Sequence, residues 1–235
     1  MKNKIALIVT SLSSVVISAS ASTINYAEDT GMAYQTPAMS SFNTYGNDMA
    51  GMDVWVTFSN GTTQHAIWDT TAGQAGAATV GGYFSISESG DTFNSDAWTL
   101  QNLNKTLSIT SFTLFGVNGN TTFDRTFGGQ IGTPGSALGK DFDMGGNYSV
   151  TATYSDELSL TGAAAVGDEW EQLSVAFANG TFFAPNSKIA FTQDADNAAV
   201  KGSITPKVPD AGSTSMMLGM GLIGIAALKR RFAQS

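Results

Sequence analysis

The chain has 235 residues, no cysteine and a single histidine, which excludes disulfides, thiolate zinc sites and cysteine nucleophiles. The net charge is −8; five of the 11 Lys/Arg (Lys2, Lys4, Lys229, Arg230, Arg231) sit at the two ends, leaving six against 19 Asp/Glu, a net of −13. Such an acidic chain repels phosphate backbones and speaks against nucleic acid as a partner. Only 13% of residues are charged and 26 are glycine, a composition of β structure and turns rather than helix.

At the N-terminus, Lys2 and Lys4 form a basic n-region and Ile5 to Ile17 an apolar stretch diluted by Ser and Thr. Ala19-Ser20-Ala21 has small residues where a signal peptidase cuts, so residues 1–21 read as a secretory signal helix cleaved before Ser22. The competing reading is an N-terminal membrane anchor.

From Gly51 the period becomes two. Met52, Val54, Val56 and Phe58 alternate with polar or half-exposed positions, predicting a strand. Asn60-Gly61 predicts a hairpin returning through Thr62 to Trp68. Tyr83–Ser87 and Trp98–Leu103 read as short strands. In Thr106–Phe115, Leu107 and Ile109 share one parity and Phe112 and Leu114 the other, which predicts a register change near Ser111, either a bulge or a strand crossing from one sheet to the other. Asn118-Gly119-Asn120 turns and Thr121–Phe127 returns. Gly128–Gly146 reads as a long loop. Tyr148–Tyr154 alternates, and Asp156–Thr161 reads as its partner. Leu173, Val175 and Phe177 mark another strand, Asn179-Gly180 a turn and Thr181–Ala184 its return; Ile189 and Phe191 mark the last strand. Ten to twelve short strands with frequent turns predict an all-β fold, a single antiparallel β-sandwich or jelly roll.

The C-terminal stretch is organised differently. Val208-Pro209-Asp210-Ala211-Gly212-Ser213-Thr214 precedes an uncharged run, Ser215 to Leu228, and then Lys229-Arg230-Arg231. Pro209 holds Val208 extended, and Asp210 and Gly212 suit a turn, as in a segment presented to an enzyme. As a helix the apolar run spans roughly 21 Å, shorter than a comfortable membrane span. A core helix competes with a brief membrane segment whose cations rest at the cytoplasmic face.

This tail resembles the PEP-CTERM class of sorting signals, in the variant that opens with VPD and a nearby Gly-Ser. Val208, Pro209, Asp210, Gly212, Ser213, Arg230 and Arg231 carry the likeness, and Ala211 stands where that variant often has Ser. The resemblance implies export, then handling by an exosortase, a membrane transpeptidase-like enzyme that passes its substrates to the cell surface or extracellular matrix. Three internal stretches, Gly46 to Phe58, Asn120 to Phe142 and Phe191 to Ala198, also resemble exported bacterial proteins with this tail. That likeness implies a β-rich passenger and transfers no catalytic residue. The expected organisation is a signal peptide at 1–21, a passenger at 22–204 and a sorting signal at 205–235.

Candidate chemistry is sparse. His65 lies in a predicted hairpin strand, with no G-x-S-x-G elbow anywhere to supply a nucleophile. The acidic groups Asp141/Asp143, Asp156/Glu157, Asp168/Glu169/Glu171 and Asp194/Asp196 read as solvated loop charges, with a glycosidase pair as the sharper alternative. Asp194, Asp196 and Asn197 form the best metal candidate, hard oxygen ligands in a turn that could take Ca²⁺, against a plain Asx-turn. Trp55, Trp68, Trp98 and Trp170 read as core, with a sugar-stacking platform as the alternative.

The sequence therefore predicts a non-enzymatic exported protein of the envelope, outer surface or extracellular matrix of a Gram-negative-type bacterium. The expected partners are signal peptidase, an exosortase-like enzyme, the membrane through the C-terminal segment, and extracellular polysaccharide. No cofactor is expected apart from the candidate Ca²⁺. A carbohydrate-binding module or glycoside hydrolase on the same fold is the alternative.

Overall fold

The computed structural model describes residues 22–40, 43–125, 132–136, 138–178 and 180–207. The expected signal helix at 1–21 and the hydrophobic helix after Thr214 lie outside them, as do the cleavage residues Ala19 and Ala21 and the motif residues Val208 to Arg231.

The first eight strands are β1 (Thr23–Asp29), β2 (Tyr34–Thr36), β3 (Asp53–Phe58), β4 (Thr63–Ile67), β5 (Asp69–Thr70), β6 (Ala75–Val80), β7 (Phe84–Ser89) and β8 (Trp98–Asn102). The remainder are β9 (Ile109–Phe115), β10 (Thr121–Asp124), β11 (Asp143–Met144), β12 (Ser149–Leu160), β13 (Glu169–Phe177), β14 (Lys188–Thr192), β15 (Asp194–Asn197) and β16 (Thr205–Pro206). They form two sheets. One runs β16-β2-β12-β13-β9-β3-β4, with β1 paired to β12, and β10 paired to both β13 and β15; the other runs β11-β14-β8-β7-β6-β5. The all-β, sandwich-like expectation holds. Among the described residues no helix is long and apolar enough to cross a membrane.

The two inner faces meet through aromatic side chains. Phe112 of the first sheet lies 5.7 Å from Phe191 of the second, centroid to centroid. Phe191 stacks on Trp98 at 5.6 Å, and Trp98 meets Trp68 at 5.4 Å. Val54, Val56, Phe58, Leu114, Ile86 and Leu100 fill the space around them and are buried. Aromatic pairs at these separations add to the area they bury, which gives the layers a defined register.

The hairpin predicted at Asn60-Gly61 is present, with Thr57 opposite Thr63 and Gly61 at φ +81°. The register change predicted near Ser111 is also present. Thr57 pairs with Ser111 and Phe58 with Ile109, so Thr110 is the extra residue of a bulge.

Elsewhere the structure differs from the reading. Residues 149–160, expected as two paired strands, are the single strand β12. Asp156, at φ +65°, breaks its alternation, and Asp is one of the few non-glycine residues that tolerate that conformation. On either side of the break, β1 and β2 lie end to end along one edge of β12, both parallel to it, so the sheet is not wholly antiparallel. The Asp156 carboxylate accepts a hydrogen bond from Met32 N in the β1–β2 connection, which ties the break to that handover. Thr121–Asp124 does not return along β9 but pairs with β13 and β15. Thr181–Ala184 makes only an isolated bridge, Phe183 to Ile109. Thr205 and Pro206 pair with β2.

Candidate functional site

The densest concentration of chemistry is built on β10, the middle strand of three. Asp124 stands opposite Glu169 of β13 on one side and opposite Asp194 of β15 on the other, and Thr122 stands opposite Asp196. Cross-strand partners share a face, so these four acids project to one side. On the other side Phe123, Trp170 and Ala195 enter the main hydrophobic core. Strand alternation thus puts grease on one face and carboxylates on the other.

The acid face is nevertheless shut off from water. Asp124, Asp168, Glu169, Glu171, Asp194 and Asp196 are all buried; all but Asp124 were expected as solvated loop charges. For all of them but Glu171 the reason lies in the glycine-rich segment 132–140, whose described part packs over them. Ser136 Oγ donates to Asp124 Oδ2 at 2.7 Å, and Thr133 Oγ1 to Asp168 Oδ1 at 2.8 Å. Gly139 sits so close that a Cβ there would meet Asp124 Oδ1 at 2.1 Å.

One carboxylate oxygen from each of Asp124, Glu169 and Asp196 lies within 4.8 Å of the other two. Thr122 Oγ1 donates to Glu169 Oε2, while no donor among the described residues reaches the buried Oε1. Burial is the largest cause pushing Glu169, Asp194 and Asp196 upward. Asp194 is pushed up to about 8, with Asp196 and Asp124 adding and Thr92 and the Ala195 amide opposing. Asp196 is pushed up to about 7, with Asp124 and Asp168 adding and Ser136 opposing. Glu169 is raised well above the carboxylate range by burial, then by Asp196 and Asp124. Carboxylates packed this way favour either a proton or a cation among them.

The sequence-predicted trio Asp194, Asp196 and Asn197 is a strand, not a turn. Asp194 Oδ1 accepts from Thr92 Oγ1 and Ala195 N. Asn197 points the other way, accepting from Thr44 Oγ1 at 3.0 Å and donating to the Asn120 carbonyl at 2.9 Å. Of the three, only Asp196 joins the converging oxygens, whose other members lie 27 and 72 residues upstream at Glu169 and Asp124. No local motif links those positions; only the strand pairing does.

The other singled-out residues fall elsewhere. His65 Nε2 lies 2.8 Å from Asp53 Oδ1, and Asp53 Oδ2 accepts from Asn118 Nδ2 at 2.7 Å. The His65 ring stacks on the half-buried Trp55 at 4.8 Å. Trp68, Trp98 and Trp170 are buried; Trp68 donates to the Gly46 carbonyl and Trp98 to that of Gln193. Asp141 accepts from Arg125 Nε at 2.8 Å, and Arg125 also donates to Glu28 at 2.6 Å beneath the Tyr154 ring.

The last backbone hydrogen bond along the described chain runs from Lys207 N to the Ala33 carbonyl at 2.7 Å. Residues 207–232 match the VPDSG-CTERM motif, beginning at that same residue. This chain carries a VPDSG-CTERM sorting signal. The signal is a PEP-CTERM-like variant and marks an exported protein sorted by an exosortase-type system. No curated protein and no solved structure matches the chain.

Proposed function

We propose that this VPDSG-CTERM protein is a non-enzymatic β-sandwich, structural or adhesive in role, delivered to the outer surface or extracellular matrix of a Gram-negative-type bacterium. The observation that carries the reading is the sorting motif matched at residues 207–232, which follows the β-sandwich. Among the described residues β16 is the last strand and Lys207 makes the last backbone hydrogen bond, and the sorting motif begins at that residue. Residues 1–21 serve as its export signal, and extracellular polysaccharide is its expected neighbour.

The test is intact mass with terminal peptide mapping on protein from cell and medium fractions. The reading expects a chain beginning at Ser22 and cut near Pro209 to Thr214. A chain that keeps its tail through Ser235 in the membrane fraction would make the segment an anchor and defeat the sorting reading.

One observation favours a second reading. Trp55, half exposed and stacked on His65 beside Asp53 and Asn118, has the aromatic face and polar neighbours of a sugar-stacking surface. Calorimetric titration with polysaccharide fragments, compared between wild type and Trp55→Ala, tests it. Equal heats in the two proteins would dismiss it.

A further inference from the structure

We propose that Asp124, Glu169 and Asp196 form a buried calcium site. The inference is independent of the sorting reading, because it rests on three side chains inside the sandwich.

The geometry fits one ion. Oxygens bound to a single Ca²⁺ at roughly 2.3–2.6 Å lie at most about 5.2 Å apart, and these three lie within 4.8 Å of one another. Three carboxylates supply up to six oxygens, and the hydroxyls of Thr122 and Ser136 stand among them. Thr122 occupies one oxygen of Glu169; the other, Oε1, is buried, belongs to a carboxylate turned into the cluster, and has no donor among the described residues. That orphan acceptor is the independent sign of a missing positive partner. A buried ionised oxygen without a donor or cation is among the costliest groups a fold can hold. Among the described residues, no ion pair reaches Glu169, Asp194 or Asp196.

The donor set selects the ion. All-oxygen, carboxylate-rich sites take hard cations rather than zinc or copper. Mg²⁺ keeps several of its waters, whereas Ca²⁺ accepts six to eight protein oxygens in irregular geometry. A cluster enclosed by three strands and the described part of the 132–140 segment suits the less hydrated ion. Ligands from β10, β13 and β15 come together only when the sheet forms, and the glycine-rich segment closes over them. The ion would therefore be taken up as the chain folds, and its binding free energy would contribute to stability.

The experiment uses the full chain in mild detergent, stripped with a chelator and passed through gel filtration. Thermal unfolding is followed by circular dichroism with Ca²⁺, with Mg²⁺ and with neither, and bound metal is measured by elemental analysis. The proposal expects about one calcium per chain and a rise in Tm of about 5–10 °C at a hundred-fold excess of Ca²⁺ over its Kd. Glu169→Gln and Asp196→Asn are expected to lose that rise, and the exposed Asp69→Asn to keep it. Neither bound calcium nor a Tm shift in the wild type would overturn the site and leave protons as what neutralises the acids. An undiminished shift in both Glu169→Gln and Asp196→Asn would overturn the residue assignment, and an equal shift with Mg²⁺ the choice of ion. Should a variant fail to fold, the wild-type calcium content and Tm shift still decide.

Discussion

Asp124 stands directly opposite Glu169 across the β10–β13 pair, two carboxylates on one face of neighbouring strands. Like charges in that position destabilise a sheet when both are ionised, so the local hydrogen-bond donors matter more here than elsewhere. Thr122 is one of them, donating to Glu169 Oε2. Replacing Thr122 with Val keeps the shape and removes the hydroxyl. The expected result is a loss of about 1–3 kcal/mol, read as a lower urea midpoint with an unchanged m-value. An unchanged midpoint would mean that Thr122 contributes nothing to holding the buried acid.

Glu88 provides a pH dependence remote from the acid cluster. Its carboxyl is buried and pushed up to about 8, chiefly by burial, with Asp91 and Asp48 adding. The nearby Gly46 amide opposes the rise without forming a well-aligned hydrogen bond. In the unfolded chain the group titrates at its ordinary carboxylate value. Between that value and about 8 the unfolded state has released a proton that the folded state still holds, so the Glu88 contribution falls as pH rises through the window and is constant above it. Glu88→Gln is expected to flatten the profile and to be more stable than wild type at alkaline pH. Urea midpoints in mildly acidic and mildly alkaline buffer check this; parallel profiles for the two proteins would refute it.

Gly76 marks a contact that only a missing side chain allows. A Cβ there would meet Trp68 Nε1 at 2.1 Å and the Gly46 carbonyl oxygen at 2.2 Å, the two atoms that share a 2.7 Å hydrogen bond. Gly76→Ala must separate them or move β6. The expected loss is about 1–3 kcal/mol, with a change in tryptophan fluorescence. A variant matching wild type in both would show that the backbone there adjusts freely.

The four tryptophans separate into two groups. Trp98 donates to the Gln193 carbonyl and stacks on Phe191 in the core, so Trp98→Ala is expected to cost about 3–5 kcal/mol. Trp55 is half exposed, and its replacement by Ala should cost roughly 1 kcal/mol, the scale of a partly exposed aromatic contact. Equal losses would place Trp55 in the packed interior after all.

Much of the fold was legible because alternation is local. Val54, Val56 and Phe58 announced β3, Asn60-Gly61 its hairpin, and the parity switch between Ile109 and Phe112 the bulge at Thr110. β12 was misread because Asp156 breaks the alternation in mid-strand, which looks in sequence like a turn between two strands. The pairing of β1 with β12 joins residues more than 120 positions apart, beyond any local pattern. The acids were read as solvated for a related reason. Alternation says that Asp194 and Asp196 share a face, but not that the 132–140 segment returns to cover it. Asp124 carried no signal, and Glu169 was noted only within its local acidic run, since only β10 lying between β13 and β15 makes the two neighbours.

The matched sorting motif begins where the described strands have just ended, and that yields the last prediction. Among the described residues the last paired strand ends at Pro206 and the last backbone hydrogen bond is at Lys207, whereas Val208, Pro209 and Asp210 belong to the matched motif. Substituting those three with alanine removes the φ constraint of Pro209 and the acceptor of Asp210 without touching a described strand. The expected outcome is an unchanged melting temperature with a precursor that keeps its C-terminal peptide and stays with the membrane fraction. Mass mapping of the C-terminal peptide and thermal unfolding of the same preparation check the two halves separately. Normal processing of the variant would show that recognition rests on the apolar run and the Arg230–Arg231 pair rather than on the VPD triplet. A lower melting temperature would mean that the motif is part of the fold it is meant to follow.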